Sequence, residues 1–455
     1  MSADAPLPLL SHTEADAIVA WRHGAPISRR RMLGDIERVA AALPAGRHLL
    51  NVCSDRYHFA VGLAAGVLAG RISLLPSTLT ESVVRQLLVD APDTVLLSEA
   101  DAPALLPGTL PRLIYPQGER HDGPAQVPLI DAGQLAARVF TSGSTGLPQP
   151  HGKSWGRLVR NARTGARALG LDDGRNFALL GTVPPQHMYG LESTVLLALH
   201  GGGALVAERP FHPAEIAAAL AALPAPRVLV STPFHLRTLL AAGTELPTLA
   251  RVLSATSPLE RTLAAAIEAH CATRLSEIYG STESGQVAVR DSAREEHWTL
   301  MPGIELQQRD GRGWVSGGHI EAPVPLGDAI TPLDSRHFML GARDEDMVNI
   351  AGKRTSLAYL NHQLLAIAGV VDGAFYMPDA TADDAAQHGI TRLAAFVVAP
   401  TLGREALLHA LRAAIDPVFL PRPLIHLATL PRNATGKLPR AACEALLAAH
   451  RGSAP

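Results

Sequence analysis

The sequence has few cysteines, few aromatic residues and almost no net charge. Its three cysteines, Cys53, Cys271 and Cys443, lie far apart, a spacing that suits neither a disulfide framework nor a metal-binding pair. We therefore expect free thiols in a reducing cytoplasm. Aromatic residues make up 4% of the chain and the formal net charge is −2, so no basic surface points to nucleic acid as a partner.

Long hydrophobic runs and targeting signals are missing as well. The longest apolar run, residues 59–70, stops at Arg71 and is too short to span a bilayer. The N-terminus carries acidic residues without a basic stretch, which argues against a signal peptide. With 455 residues, 47% of them hydrophobic and 18% charged, the chain is expected to fold into about two to three globular domains.

Apolar segments of strand length alternate with Ala/Leu-rich helical segments through most of the chain. The strand segments are 48–53, 71–76, 93–98, 138–143, 177–183, 203–208 and 227–232, and the helical segments include 57–70, 153–170 and 213–223. This alternation predicts an α/β fold with parallel sheets and crossover helices. Short strands with Gly and Pro near residues 291–319 predict a small, barrel-like antiparallel part.

A shorter α+β pattern follows the charged stretch at residues 343–346. We place a domain boundary there, which gives a large N-terminal domain, residues 1–343, of layered sheets and helices, and a smaller C-terminal domain, residues 344–455. Taken alone, such a charged stretch is more often a solvated surface loop. The boundary therefore depends on what the neighbouring motifs mean.

A loop of small hydroxyl residues and glycines follows a strand-like segment that ends at Phe140. Its residues are Thr141, Ser142, Gly143, Ser144, Thr145 and Gly146. Such a loop can turn several backbone N–H groups toward an anion, with hydroxyls as further donors. A plain Ser/Gly turn is the alternative. The nearby Gly-Lys-Ser at 152–154 is not a nucleotide-binding P-loop, because its spacing is one residue too long and two prolines interrupt it.

Three further segments occur in order behind this loop, at residues 279–283 (YGSTE), 341–354 (GARDEDMVNIAGKR) and 431–440 (PRNATGKLPR). Together the four segments resemble the adenylate-forming superfamily of acyl-CoA synthetases, nonribosomal adenylation domains and luciferases. The resemblance spans residues 139–440. It implies an enzyme that uses ATP and Mg²⁺ to convert a small carboxylic acid to an acyl-adenylate, and then transfers the acyl group to a thiol.

The resemblance also assigns roles to individual residues. Lys437 is the implied catalytic lysine, which bridges the carboxylate and the α-phosphate; Thr282 contacts the α-phosphate and Glu283 holds Mg²⁺. Glu345 is the implied hinge of a mobile C-terminal domain, and Gly352 lines the thiol tunnel. The implied ATP-binding residues are Thr141, Ser142, Gly143, Ser144, Thr145, Gly146, Tyr279, Asp328, Arg343 and Arg354.

The acyl pocket is expected to begin at residues 184–190. Amino-acid-activating relatives place an aspartate there, whereas this segment offers His187 and no acid, which argues against an α-amino acid. By the resemblance, His187 stacks beside the substrate and also counts as catalytic; a buried core histidine is the alternative. The other expected pocket residues are Tyr189, Ser254, Ala255, Thr256, Gly280 and Ser281.

The phosphate loop departs from the superfamily pattern at one cation. Where a lysine is usual this chain has Gln149, and the nearest lysine is Lys153. Either Lys153 supplies the charge from the following helix, or the loop works without it.

The acceptor thiol and the acid remain open among related alternatives. The chain is similar to the ligases of aryl-polyene pigment synthesis that load 3-hydroxybenzoate onto an acyl carrier protein. An aryl- or medium-chain acyl-CoA synthetase that uses free CoA is the alternative. A non-catalytic protein that binds a nucleotide or an acyl-adenylate is a further one, and the presence of Lys437, Glu283 and Asp328 speaks against it.

Overall fold

Short apolar segments form the strands of this chain, and Ala/Leu-rich segments form its helices. The computed structural model describes residues 5–76, 79, 81–100, 106, 108–116, 122–142, 148–343, 347–350, 353–378, 392–434 and 436–452. In chain order the strands are β1 (Leu7–Pro8), β2 (Ile18–Arg22), β3 (Ala25–Ser28), β4 (His48–Asn51), β5 (Ile72–Leu75), β6 (Thr94–Ser98), β7 (Arg112–Ile114), β8 (Leu129–Ile130), β9 (Leu135–Ser142), β10 (Pro148–Ser154), β11 (Ala178–Gly181), β12 (Ala204–Val206), β13 (Arg227–Ser231), β14 (Arg251–Ser254), β15 (Leu275–Ser281), β16 (Gly285–Arg290), β17 (Trp298–Leu300), β18 (Ile304–Arg309), β19 (Arg312–Gly317), β20 (Ile320–Pro325), β21 (Asp328–Pro332), β22 (His337–Arg343), β23 (Met347–Ile350), β24 (Lys353–Ser356), β25 (Asp372–Tyr376), β26 (Ala394–Val398) and β27 (Leu424–His426).

The helices lie mostly between consecutive strands. They are α1 (Arg29–Ala42), α2 (Arg56–Leu68), α3 (Glu81–Asp90), α4 (Trp155–Ala168), α5 (Met188–Gly190), a π-helical segment (Leu191–Leu196), α6 (Leu197–Gly201), α7 (Pro213–Ala221), α8 (Pro233–Ala241), α9 (Arg261–Cys271), α10 (Leu357–Leu365), α11 (Arg404–Ala414), a 3₁₀ turn (Pro417–Phe419) and α12 (Arg440–Gly452). No helix among the described residues is both long and apolar enough to cross a membrane.

Two large sheets carry the N-terminal part of the chain. One has six strands in the order β10-β9-β5-β4-β6-β7, parallel except for the edge strand β10. The other has eleven strands in the order β21-β22-β17-β16-β15-β14-β13-β11-β12-β2-β3, and its centre from β15 to β2 is parallel. The predicted α/β fold with parallel sheets and crossover helices is confirmed.

Antiparallel strands and a smaller C-terminal domain complete the fold. Strands β18, β19 and β20 form a three-stranded antiparallel sheet in the region where shorter strands were expected. In the smaller domain, β25, β26 and β27 form one sheet and β23 pairs with β24. The boundary within residues 343–346 stays a prediction, because residues 344–346 lie outside the described residues.

One predicted helix begins later than its sequence pattern suggested. Lys153 lies on the edge strand β10, paired with Ala137, and α4 begins only at Trp155. Ser154 caps this helix, since its hydroxyl accepts a hydrogen bond from the Arg157 N–H at 3.1 Å. The expectation that Lys153 belongs to the following helix is therefore wrong: the N-cap residue lies behind it and fixes the helix start.

The parallel strands β11, β13, β14 and β15 end at a common edge of the eleven-stranded sheet. Ligands of open α/β sheets bind outside the carboxyl ends of parallel strands, because the loops that follow the strands converge there. Residues 182–190, 255–258 and 282–284 leave three of these strand ends. The fold therefore gathers the segments in which the sequence predicts an acyl pocket and a metal ligand.

A fully buried arginine joins the two large sheets. Arg56, at 0% exposure, begins α2 beside the six-stranded sheet. Its guanidinium donates to four backbone carbonyls, those of Gly181 at 2.8 Å, Val183 at 3.0 Å, Val206 at 2.8 Å and Glu208 at 2.9 Å. Because these carbonyls belong to or follow β11 and β12, one side chain fixes both strand ends against α2.

Loss of this side chain should be costly. Arg56→Ala leaves four carbonyl acceptors without their donor, so we expect the free energy of unfolding to fall by about 3 kcal/mol or more. Urea denaturation of the two proteins measures the difference. Arg167→Ala is the control, since that side chain is exposed and faces Asp172 at 3.7 Å, and it should change stability by only about 0.5 kcal/mol. Equal losses in both variants would contradict the assigned role.

Candidate active site

The β15–β16 hairpin presents the YGSTE segment at the common edge. Tyr279, Gly280 and Ser281 close β15, and the turn through Thr282 and Glu283 leads into β16. Within the hairpin, the Ser281 N–H donates to the Ser284 hydroxyl at 3.2 Å and the Ser284 N–H to the Ser281 hydroxyl at 3.1 Å. These reciprocal bonds shape the turn that carries the predicted α-phosphate and magnesium residues.

Three of the predicted ATP-binding residues, Tyr279, Asp328 and Arg343, lie close together. Asp328 and Arg343 are cross-strand partners at the paired ends of β21 and β22. The Tyr279 hydroxyl donates to the Asp328 carboxylate at 2.8 Å. Residues that are far apart in sequence are thus gathered by antiparallel pairing at one end of the large sheet.

Lys153 points at the backbone of the Thr282–Glu283 turn. Its ammonium donates to the carbonyl of Thr282 and, at 3.2 Å, to that of Glu283, while the Arg157 guanidinium also donates to the Glu283 carbonyl. His151 lies 3.6 Å from the Glu283 carboxylate. The ammonium that sequence reasoning offered as a replacement cation for Gln149 is therefore engaged by this turn.

The Glu283 carboxylate has the exposure and charge that a metal ligand needs. Its side chain is 42% exposed. Burial raises its pKa, but hydrogen bonds from its own backbone and from Ser281, together with the charges of His151 and Lys153, bring it below the ordinary value. Mg²⁺ is usually held by one or two carboxylates plus substrate phosphates, so one ionised carboxylate fits this ion. In the described parts of the chain, no group of three or more His, Cys, Asp or Glu could hold a metal without such help.

His187 and Lys437 lie within each other's electrostatic reach. His187 is partly buried and precedes the short helix α5. Its pKa is lowered to about 4, first by burial and then by the positive charges of Lys437 and Arg209. The imidazole is therefore neutral at pH 7, and the predicted catalytic lysine of the small domain lies near the predicted pocket of the large one.

The remaining pocket candidates lie at the carboxyl ends of the strands. Tyr189 donates its hydroxyl to the carbonyl of Ser231, the last residue of β13, at 3.1 Å. Ser254 ends β14 and is fully buried, and Ala255 follows it, also buried. Thr256 has a positive φ of 81°, so the chain turns sharply directly behind β14.

Charge-assisted hydrogen bonds shape the turn that carries Lys437. The Arg432 guanidinium binds the Asp372 carboxylate through two hydrogen bonds of 2.8 and 2.6 Å and donates to the Gly436 carbonyl at 2.9 Å. The Lys437 N–H donates to the Asn433 side chain at 2.9 Å. A bidentate arginine–carboxylate pair is a directional interaction, so it fixes the turn to β25 of the small domain.

The same turn packs against the large domain at the start of α8. A Cβ atom at Gly436 would lie 3.2 Å from the Cβ of Phe234 and 3.4 Å from the Thr232 hydroxyl, and Gly436 has a φ of +79°. Both the close approach and the positive φ favour glycine. The Arg432 guanidinium lies 6.0 Å from the centre of the Phe234 ring.

Several predicted site residues are beyond what the structure describes. Gly143, Ser144, Thr145 and Gly146 of the phosphate loop, the hinge residue Glu345 and the tunnel residue Gly352 lie outside the described residues. Thr141 and Ser142 end β9, and Arg354 lies on β24. Their roles stay predictions.

Comparison with known proteins decides the family. Residues 12–312 match the AMP-binding enzymes. The chain belongs to this family. In sequence this AMP-binding enzyme is similar to two 4-coumarate–CoA ligases. That of Rhodobacter capsulatus is 31% identical over 286 residues, which cover 63% of the chain and 69% of the relative. That of Halorhodospira halophila is 29% identical over 321 residues, which cover 68% and 77%.

The fold of this AMP-binding enzyme is similar to that of the anthranilate CoA ligase AuaEII in complex with anthranoyl-AMP. The TM-score is 0.79 at 16% identity, over 98% of this chain and 99% of the other. The family and its curated relatives identify the protein as an AMP-forming acid–thiol ligase. The alternative of a non-catalytic protein that binds a nucleotide or an acyl-adenylate loses its support.

Sequence reasoning missed a buried polar cluster behind the β15–β16 hairpin of this AMP-binding enzyme. Glu192, on the π-helical segment, is buried and accepts a hydrogen bond from the Asn161 side chain. Burial raises the pKa of Glu192 to about 8, and the charges of Lys153 and Arg157 oppose this shift only in part. The expectation of no acid near His187 therefore overlooked a carboxyl five residues further on. No sequence motif marks Glu192, since a single glutamate in an apolar helical segment has no pattern of its own.

The contribution of the Arg432–Asp372 pair to the position of Lys437 can be tested in this AMP-binding enzyme. Arg432→Gln removes the bidentate pair with Asp372, so the turn should position Lys437 less well and ATP–pyrophosphate exchange should slow by about 10- to 100-fold. Asp372→Asn should have a similar effect, and the double variant should be little worse than either one. The exposed Arg412 serves as control, and Arg412→Gln should exchange like the wild type. Additive effects of the two site variants would contradict the pairing.

Proposed function

We propose that this ligase activates an aromatic carboxylic acid with ATP and transfers it to coenzyme A. The observation that carries the proposal is the neutral His187 imidazole near Lys437 at the carboxyl edge of the parallel strands. An uncharged ring there suits a flat, uncharged substrate ring, while the lysine ammonium suits its carboxylate. Hydroxylated aromatic acids, 3-hydroxybenzoate or a close relative, are the first candidates.

The proposal gives each residue one task in adenylation. Attack of the carboxylate on the α-phosphorus forms an acyl-adenylate and releases pyrophosphate, and negative charge grows at phosphorus during the step. Lys437 balances that charge between carboxylate and α-phosphate, and Thr282 donates to the α-phosphate. Asp328, Arg343 and Tyr279 bind the nucleoside. Glu283 would hold Mg²⁺, which neutralises phosphate charge when bound.

An α-amino acid fits this site poorly despite the acid at position 192. The Glu192 carboxyl already accepts a hydrogen bond from Asn161 and interacts with the charges of Lys153 and Arg157. A substrate ammonium would compete with three groups that the protein itself supplies. Residues 184–190 contain no acid, so the front of the pocket also offers no partner for a substrate ammonium.

Coenzyme A is the acceptor that the relatives favour. Both curated relatives are named CoA ligases, at 31% and 29% identity. The sequence resemblance to ligases that load a carrier protein points to a phosphopantetheine arm of the same chemistry. Since the thiol ends are alike, only a direct comparison of acceptors separates the two.

A substrate panel tests the proposal. We expect ATP–pyrophosphate exchange with hydroxybenzoates and hydroxycinnamates, and exchange at least about 100-fold weaker with octanoate and with amino acids, because a site that hydrogen-bonds a hydroxyl rejects acids that lack it. The products are then assayed with free CoA and with a holo acyl carrier protein. Preference for octanoate would overturn the aromatic acid, and loading of carrier protein but not CoA would overturn the acceptor.

Lys437 should act in adenylation alone. Lys437→Ala should slow acyl-adenylate formation by about 10²- to 10³-fold, because a charge contact made in the transition state is lost. Supplied with synthetic acyl-adenylate, the variant should still form thioester at a rate close to that of the wild type. Equal loss of both half-reactions would contradict the assignment.

A further inference from the structure

Lysine is rare in this chain. Of the 40 basic residues other than histidine, three are lysine, at positions 153, 353 and 437, and 37 are arginine. Two of the three lie in the adenylate-forming motifs, whereas Lys153 lies outside the motif position that usually carries a lysine. Since lysine and arginine differ in size, hydration and donor geometry, a lone buried lysine marks a place where a compact ammonium fits.

Several polar groups surround the ammonium of Lys153. The side chain is 0% exposed, and its ammonium donates to the carbonyls of Thr282 and Glu283. Arg157, which lies four residues later on α4, donates to the same Glu283 carbonyl. The carboxyl groups of Glu192 and Glu321 also lie within electrostatic reach of the ammonium. Burying an ammonium is costly, and here the backbone acceptors and the nearby carboxyl groups offset part of that cost.

Four separate elements meet at this cluster. Lys153 comes from β10 and Arg157 from α4, Glu192 from the π-helical segment, and Glu321 from β20, where it accepts a hydrogen bond from Ser154. These residues surround the backbone of the turn between β15 and β16. The Glu192 carboxyl also packs closely on the start of β16, because a Cβ atom at Gly285 would lie only 3.0 Å from one of its oxygens.

We propose that Lys153 is a positioning residue that holds the Thr282–Glu283 turn in the geometry needed for adenylation. It acts through the backbone of the turn, to whose two carbonyls its ammonium donates. The inference rests on the proposed roles of Thr282 and Glu283, whose side chains leave the same turn. A displacement of about 1 Å at such a turn can cost about 100-fold in rate.

The test is Lys153→Met, which keeps the length of the stem and removes the ammonium. The variant is assayed with whichever acid the wild type activates best, so an error in the proposed substrate does not affect it. We expect ATP–pyrophosphate exchange to fall by about 100-fold, with a higher Mg²⁺ concentration needed for half-maximal rate. Thioester formation from synthetic acyl-adenylate should fall by less than about fivefold.

Arg160→Met is the matched control. Arg160 lies on α4, the helix that follows Lys153, and its guanidinium is 3.9 Å from the Glu321 carboxylate. Its exchange rate and Mg²⁺ requirement should equal those of the wild type. If Lys153→Met fails to fold, the double variant Lys153→Met, Glu192→Gln leaves no unbalanced carboxylate behind and is expected to show the same split between half-reactions.

Two results would overturn the inference. One is a folded variant that exchanges pyrophosphate at the wild-type rate and with the wild-type Mg²⁺ requirement. The other is a parallel loss of both half-reactions together with a lowered thermal midpoint, which would reduce Lys153 to a general stabiliser of the fold. An inactive wild type with every aromatic acid would instead count against the proposed function.

Discussion

The four hydrogen bonds of Arg56 are the constraint on which the site depends. The guanidinium is fully buried, and burial lowers its pKa to about 9, so the protein accepts a desolvation cost at this point. In return, the carbonyls of Gly181 and Val183 are held against α2, in the six-stranded layer. The segment that leads to His187 begins at these residues. The path of the chain toward the imidazole is thus constrained by a contact between α2 and the eleven-stranded sheet.

The site combines two turns, one held by side chains of the large domain and one held within the small domain. The Thr282–Glu283 turn is bound by the buried Lys153 and by Arg157, whereas Lys437 is exposed and held through Asn433 and the Arg432–Asp372 pair. Both arrangements rely on charged donors that bind backbone or carboxylate oxygen. Such bonds are short and directional, and they are roughly twice as strong as neutral ones. They suit groups that must keep their orientation while charge develops nearby.

Local pattern predicted much of this molecule, and long-range pairing accounts for what it missed. Apolar alternation indicates strands β4, β5, β6, β11, β12 and β13. The YGSTE and PRNATGK motifs indicate which turns are expected to carry the chemistry. The helical pattern that follows residue 153 predicts a helix there as well, whereas residue 153 lies on β10 and the helix begins only behind its N-cap, Ser154. Glu192 and Asp372 carried no signal, since their partners lie 31 and 60 residues away in the chain. Sequence spacing cannot show which distant residues meet.

The two sides of the Lys437 turn differ in the kind of contact that they make. Toward the small domain, Arg432 makes two charged hydrogen bonds to Asp372. Toward the large domain, Gly436 packs closely on Thr232 and Phe234, the Arg432 guanidinium lies 6.0 Å from the Phe234 ring, and the Lys437 charge reaches His187. Packing of this kind is weak per atom and has little directional preference, so it can be made and released without disturbing the turn. If the small domain moves as the resemblance implies, Lys437, the proposed catalytic lysine, would keep its local geometry, and adenylation would require that the turn docks on the start of α8.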